Sequence, residues 1–378
     1  MDRPLDRRLM SVSSPSETPT YAGLPFGPAG VARRAEMIVL PVGALLAGFA
    51  VFSLFLLVQG KSPSDFYALV YRAGFGTVFS WENTLSRAAP LLLAALCVAL
   101  PARLGLVVIG GEGAIVLGGV GAGFTGAVLG GAPALIALPV MLGVAMAIGA
   151  LWIGMVGALR YYRGVNETIA SLLMAYIAIA VMNHLVEGPL RDPASLNKPS
   201  TAPLIDAFKV GTIPGWDVHW GLVFGVVACV LAWVLIDKTT WGFAARIAGG
   251  NLRAAQVQGL PVGKLILGFT ALGGAFAGLA GFFEVAAVHG SANASLATGY
   301  GYTGILIAFL ARHNPLAIIP VAILLAGFEA SSGLVQRRMD LPDATVLVLQ
   351  GFVFMAILMS ETLYGRFKIF TPERWRSA

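Results

Sequence analysis

The chain has 378 residues, of which 57% are hydrophobic and only 12% charged. A soluble domain carries about twice that share of charge, so this much apolar surface excludes a water-soluble globule and points to a polytopic membrane protein. The net charge of +6 lies mainly in the tails and basic loops, which makes it a topology signal rather than a nucleic-acid footprint.

A spanning helix needs about 20 mostly apolar residues. Ten stretches qualify as candidates, at 37–58, 88–100, 104–129, 134–159, 168–186, 220–236, 265–288, 302–311, 316–335 and 344–363. The fold class expected is therefore all-α and polytopic, with about ten transmembrane helices. The second and eighth stretches are short for a full crossing, as tilted or broken helices lining a protein interior would be. Residues 1–35 form a polar tail without an apolar signal-peptide core, expected to be disordered and cytoplasmic. Residues 36–366 form the membrane domain, and 367–378 a cytoplasmic C-terminal tail.

Lys and Arg set the orientation. Arg3, Arg7, Arg8, Arg33 and Arg34 place the N-terminus inside, and Arg366, Lys368, Arg374 and Arg376 do the same for the C-terminus. Two internal ends require an even number of spans. Arg160, Arg163, Lys238, Arg246, Arg253, Lys264 and Arg312 then fall inside. Lys61, Arg72 and Arg87 fall outside, in a loop long enough for its own surface helix. Arg337 and Arg338 also fall outside and suit contact with a partner protein.

The catalytic and nucleotide motifs are missing. The sequence has no Gly-x-x-x-x-Gly-Lys-Ser/Thr, no His-Glu-x-x-His and no Gly-x-Ser-x-Gly. Its four histidines are scattered, and Cys97 and Cys229 lie within predicted spans, where packing suits them better than a disulfide or metal. Intramembrane carboxylates are few: Glu112, Glu284 and Glu329, of which residue counting places only Glu112 deep. Glycines crowd two spans, at Gly118, Gly119, Gly121, Gly123 and Gly126 and at Gly268, Gly273, Gly274, Gly278 and Gly281, as close helix packing in a bilayer requires. The largest cytoplasmic loop, 237–264, holds a short helix over 242–259. Its small residues fit either a docking helix for a cytoplasmic partner or an ordinary solvated helix.

Four segments in order carry a resemblance. Gly250-Asn251-Leu252-Arg253-Ala254-Ala255, ending at Gly259-Leu260, resembles the Gly-Asn-Pro-Glu-Ala-Ala…Gly-Ile loop of ABC importer permeases in the ribose and branched-chain amino acid superfamily. Ile109-Gly110-Gly111-Glu112-Gly113 resembles the Asn-Ile-Gly-x-Glu-Gly-Gln signature of that superfamily's nucleoside branch. Gly164-Val165-Asn166-Glu167-Thr168-Ile169 resembles its Val-Asn-Glu motif, and Gly299-Tyr300-Gly301-Tyr302-Thr303-Gly304-Ile305 with Asn314-Pro315 its second-half signature. The resemblance covers about residues 36–366. It implies a permease subunit of the bacterial inner membrane, with about ten spans in two inverted repeats. It also implies a cytoplasmic ATPase that binds ATP and Mg, a second permease forming a heterodimer, and an extracytoplasmic substrate-binding protein. The subunit itself then carries no cofactor, and the solute is a nucleoside or related purine or pyrimidine compound. Three positions depart from the family pattern. Val108 replaces Asn, Ala114 replaces Gln and Ala175 replaces a frequent Asn, which shifts the ligand away from hydroxyl-rich solutes toward bases and modified nucleosides. Leu252-Arg253 replaces Pro-Glu at the coupling segment.

Interrupted helices in corresponding halves are the best sequence pointer to a transporter's route. Residues 105–113 and 299–304 fit, and they are expected to face one another across the translocation path. The pathway residues are Gly110, Gly111, Glu112, Gly113, Asn166, Glu167, Tyr300, Gly301, Tyr302 and Thr303. Glu112 suits capping of the exposed amides better than substrate contact. Asn166 and Glu167 suit helix capping or gate packing. Tyr300 and Tyr302 fit base stacking or an interfacial aromatic belt equally well. The ATPase-coupling residues are Arg246, Gly250, Asn251, Arg253, Ala254, Ala255 and Gly259. The polar loop 187–219 fits a docking surface for a binding protein. A permease for a simple sugar such as a pentose is the first alternative. An ion-coupled secondary transporter is the second, weakened by the sparse deep carboxylates.

Overall fold

The computed structural model describes residues 28–361 apart from Leu196. The expected C-terminal tail and residues 1–27 of the expected N-terminal tail lie outside the described residues. The helices are α1 (Pro28–Val58), α2 (Pro63–Phe75), α3 (Val78–Ala102), α4 (Gly111–Val128), α5 (Ala134–Arg163), α6 (Glu167–Glu187), α7 (Gly221–Lys238), α8 (Thr240–Gly250), α9 (Leu252–Val257), α10 (Val262–Phe283), α11 (Tyr300–Leu310), α12 (Pro315–Met339) and α13 (Ala344–Glu361). Among the described residues there are isolated β-bridges but no strand. Residues 28–47 and 356–361 belong to one compact unit, which buries Ala44 and Ile357. Residues 48–355 form the other, which holds the candidate site.

Among the described residues, seven helices are long and apolar enough to cross a membrane: α3, α4, α5, α6, α7, α10 with its extension to His289, and α12. The segment Val42–Val58 and α2 form one bent pair with an angle of 119°, and α11 and α13 are shorter apolar helices. Clear spans are thus fewer than the ten stretches read from hydropathy.

The chain reverses at Gly60, whose φ of +71° favours glycine. Ser62 then caps α2, its Oγ accepting from the Asp65 N–H at 3.4 Å. This helix was expected to lie on the surface. It instead buries Phe66 and Val70, and Gly74 packs on the Gly327 backbone of α12. The second span is also longer than expected. α3 starts at Val78 rather than 88, capped by Thr77 Oγ1 accepting from the Ser80 N–H at 3.1 Å. Its first turns carry Glu82, Asn83, Ser86 and Arg87, which hid them from a hydropathy reading. From Ala88 to Pro101 every residue is buried, packed by α7, α10, α11 and α12.

Pro90 lies inside α3 and has no N–H, so the Ser86 carbonyl loses its helical donor. His219 replaces it, donating from Nε2 to Ser86 O at 3.1 Å, while its Nδ1 accepts from the Gly221 N–H at 3.1 Å. This tautomer is neutral, and burial holds the His219 pKa below its ordinary value. The loop before α7 is thereby locked to the start of α3.

The glycine-rich spans α4 and α10 pack closely, and a Cβ on Gly118 would fall on the Gly278 backbone. A Cβ on Gly274 would strike the Gly149 carbonyl, and one on Gly278 the Ala145 carbonyl, so α10 and α5 touch backbone to backbone.

Candidate functional site: two joined helix breaks

The first break follows α3. Gly105 turns the chain at φ +72°, residues 106–109 adopt no regular structure, and α4 begins at Gly111. Freed backbone groups need partners inside an apolar bundle. The start of α6 supplies them. Ile109 N–H donates to Ser171 Oγ at 3.0 Å, and Thr168 Oγ1 donates to Val107 O at 2.9 Å. Arg103 anchors the turn by donating from its guanidinium to His313 O at 2.7 Å.

The second break follows α10. The helix widens into a π-turn over Glu284–His289, reverses at Gly290, and reaches Gly299 at φ +92° before α11. The Gly299 N-cap has no side-chain bond of its own to offer the start of α11. Glu112 provides it from the other break. Its Oε1 accepts from the Gly299 N–H at 2.7 Å and its Oε2 from the Gly301 N–H at 2.6 Å. One carboxylate, 1% exposed, thus holds the first amides of a helix nearly two hundred residues away in sequence. The expected capping role for Glu112 matches this geometry, although it caps α11 rather than its own helix.

The two breaks therefore meet, but not across an open path. A Cβ on Gly301 would fall on the Glu112 backbone, with Glu112 Cα at 2.6 Å. Gly110, Gly111, Gly113, Gly301 and Thr303 are buried in this contact region, while Tyr300 is half-buried and Tyr302 is exposed. Val108, Ala114 and Ala175, where the family pattern has amides, are fully buried as well. The amide-to-apolar departures therefore lie in packing.

Asn166 and Glu167 sit apart from Glu112, at the start of α6. Asn166 Oδ1 accepts from the Ile169 N–H at 3.1 Å, and Glu167 pairs with Arg160 at 3.2 Å. Both act at the helix terminus, and their helix holds the first break through Thr168 and Ser171.

The segment 242–259, expected to couple to an ATPase, is not the single helix expected. Asn251 has extended backbone, so α8 stops at Gly250 and α9 starts at Leu252, with Asn251 Oδ1 accepting from the Ala254 N–H at 3.0 Å. Arg246 pairs with Asp237 at 3.5 Å. Gly250, Arg253, Ala254 and Gly259 are exposed, whereas Ala255 is fully buried. A shallow cavity of about 650 Å³ lies over Asn251, Arg253, Ala254, Val257 and Gln258. Behind it, Gly249 packs on the Arg103 carbonyl and Gly105 on the Gly249 carbonyl. The α8–α9 segment thus touches the first break directly.

Residue counting places Glu284 near the outer end of its helix and Glu329 in the outer half of its own, and the structure buries the first and partly buries the second. Glu284 is 2% exposed and faces His289 Nε2 at 3.5 Å. Glu329 accepts from Thr303 Oγ1 at 3.0 Å. Arg87, expected in an external loop, lies within α3 and, like Gln350, interacts with Glu329; neither was read as a site residue from sequence. The available signal was an ionisable or amide side chain inside an otherwise apolar helix.

Residues 80–358 match the family described as branched-chain amino acid transport system, permease component. The chain belongs to that family. The permease is 34% identical to the glucose ABC transporter permease protein TsgB13 of Haloferax volcanii, over 87% of this chain and 89% of that one. It is 30% identical to the guanosine ABC transporter permease protein NupP of Bacillus subtilis, over 88% of this chain and 96% of that one. Similarity to the probable riboflavin import permease protein RfuC of Treponema pallidum is 26% over 83% of each chain. No solved structure matches the permease. It is a multi-pass membrane protein and a transport subunit, in keeping with its seven long apolar helices.

Proposed function

We propose that this permease is the membrane subunit of an ATP-driven importer for nucleosides or related purine and pyrimidine compounds, in the bacterial inner membrane. The observation that carries the transport role is the Glu112 bridge between two helix breaks, each in one half of the chain. Broken helices deep in a bilayer persist only where protein or water satisfies the freed groups. The joined breaks form one wall of the route, with Tyr300 and Tyr302 at its edge and the Asn166–Glu167 terminus as a gate element. Relatives named for guanosine and for nucleosides support the solute class.

The finer topology belongs to the same reading. The bent pair, α11 and α13 join the seven long helices to make ten crossing or half-crossing segments, arranged as two inverted repeats with both termini inside. The α8–α9 segment receives a separate ATPase that binds ATP and Mg. Its exposed Arg253 and Ala254 and its backbone contact to the first break support that role. A second, different permease completes the pore, as the two guanosine permease proteins of Bacillus subtilis suggest. A binding protein docks on the loop between α6 and α7.

A simple sugar is the second reading, favoured by the glucose permease relative. Uptake of radiolabelled guanosine by cells carrying the full transport system, with unlabelled nucleosides and glucose as competitors, separates the two. Competition by nucleosides but not glucose is expected. The reverse pattern overturns the nucleoside assignment, and uptake that survives deletion of the neighbouring ATPase gene overturns the ATP-driven one.

A further inference from the structure

A second polar cluster lies beside the Glu112 bridge and takes no part in it. Arg87 of α3, Glu284 of the π-turn, Tyr300 and Thr303 of α11, Glu329 of α12 and Gln350 of α13 converge from five elements. Arg87 acts electrostatically on Glu284, Glu329 and Tyr300, and Glu284 on Tyr300. Arg87 is nine residues into its helix and Glu329 ten residues from the end of its own. Each therefore sits about 15 Å from a helix terminus, half a hydrocarbon core deep.

The internal bonding of this cluster is incomplete. Thr303 satisfies one Glu329 oxygen at 3.0 Å. Gln350 is 4% exposed and its side chain interacts with Glu329, but its Nε2 meets no acceptor at full hydrogen-bond geometry among the described residues. A buried amide donor left short of a full bond is costly. A structural network deep in a bundle closes its own bonds; one that leaves a donor incompletely satisfied is shaped for a visiting group. Arg87, Tyr300 and Glu329 are each only partly buried, so the cluster has an accessible side.

The loop between α6 and α7 bonds to two of the elements that carry the cluster, through Val210 N–H to Ala286 O at 2.8 Å on the π-turn, and through the His219–Ser86 bond on α3.

We propose that Arg87, Tyr300, Glu329 and Gln350 form a subsite for an uncharged group rich in both donors and acceptors, the hydroxyls or exocyclic amino groups of the transported solute. Solute hydroxyls donate to Glu329 and accept from Gln350 Nε2 and Arg87. This rests on the importer reading above, and the chemistry is shared by nucleosides and simple sugars.

The test is uptake kinetics in cells carrying the complete system, with Gln350→Leu, the near-isosteric Gln350→Met and Thr303→Val, each normalised to the amount inserted in membranes. Labelled guanosine, 2′-deoxyguanosine and 3′-deoxyguanosine form one arm, and glucose with 2-deoxyglucose the other. Wild type is expected to favour the fully hydroxylated solute of whichever arm it transports. Both Gln350 variants should raise the half-saturation concentration for that solute about tenfold, as loss of one hydrogen bond to a ligand does. They should leave the deoxy analogue nearly unchanged, so that discrimination collapses. An equal loss for hydroxylated and deoxy solutes, with discrimination intact, overturns the subsite and leaves the importer reading standing. Wild-type uptake of neither class overturns the importer reading and the ligand assigned here together.

Discussion

At the first break, between α3 and α4, the freed backbone is held by side chains of α6: Ser171 Oγ on Ile109 N–H and Thr168 Oγ1 on Val107 O. At the second break, before α11, the freed amides of Gly299 and Gly301 are held by Glu112, which belongs to the first. The first break has anchors besides this bridge, in Ser171, Thr168 and the Arg103 bond to His313 O, whereas the amides that open α11 are held by Glu112. A displacement of the first break, against which the α8–α9 segment packs through Gly249, therefore carries the start of α11 with it.

The steepest contrast is expected between two glycines. Gly301→Ala places a methyl on the Glu112 backbone and should cost about 3 kcal/mol or more, since backbone cannot swing aside as a side chain does. Gly111→Ala meets Cys97 Sγ at 3.5 Å, an ordinary contact, and should change stability by less than about 1 kcal/mol. Thermal melting of the detergent-purified variants checks this, and equal losses would break the asymmetry.

Glu112→Ala comes next, leaving two buried N–H groups without an acceptor at about 1–3 kcal/mol each. Glu112→Gln keeps one acceptor oxygen and should lose roughly half as much, with partial transport retained. Hydrogen exchange at Gly299 and Gly301 should rise in the Ala variant while Ile109 stays protected; a rise at Ile109 would show that the anchoring runs both ways. Ser171→Ala should cost about 1–2 kcal/mol by orphaning Ile109 N–H, and exchange should then rise at both breaks.

A separate test concerns pH. His313, whose carbonyl receives Arg103, is held down to about 4 by burial first and by the Arg103 charge second. The unfolded chain takes up this proton near 6.5 and the native state near 4. The contribution to stability is therefore complete above about 6.5 and is lost as pH falls toward 4. The wild-type melting temperature should fall between pH 7.5 and pH 5 by more than that of His313→Gln, which lacks the titrating group. A constant difference would remove this titration from the anchor of the first break.

Much of this arrangement was legible in the sequence. Gly-rich interruptions at 105–113 and 299–304 stood out because each precedes an apolar helix. A carboxylate at Glu112 next to exposed amides suggested capping. Its partner was not legible, because a contact between residues 112 and 301 is set by tertiary packing and leaves no local periodicity. The polar start of α3 was missed for a related reason. Glu82, Ser86 and Arg87 lower the hydropathy of a helix whose polar side meets protein rather than lipid, so an apolar count began the span ten residues late. Asn251 was misplaced inside one helix because Gly-Asn reads as a weak interruption. Its extended backbone and its bond to Ala254 N–H make it a cap instead. The converging cluster at Glu329 and Gln350 drew on five elements and left only isolated polar letters.

The burial of α3 also bears on how the molecule is made. Synthesis proceeds from the N-terminus, so α3 enters the bilayer before α7, α10, α11 and α12, the helices that come to cover it. Until they arrive, Thr84, Arg87 and the carbonyl freed by Pro90 face lipid or the insertion machinery. The central post of the bundle is thus its least self-sufficient helix during biogenesis. Truncated chains ending before α10 should depend on the translocon or a chaperone for protection, and should be degraded faster than chains that extend past α12.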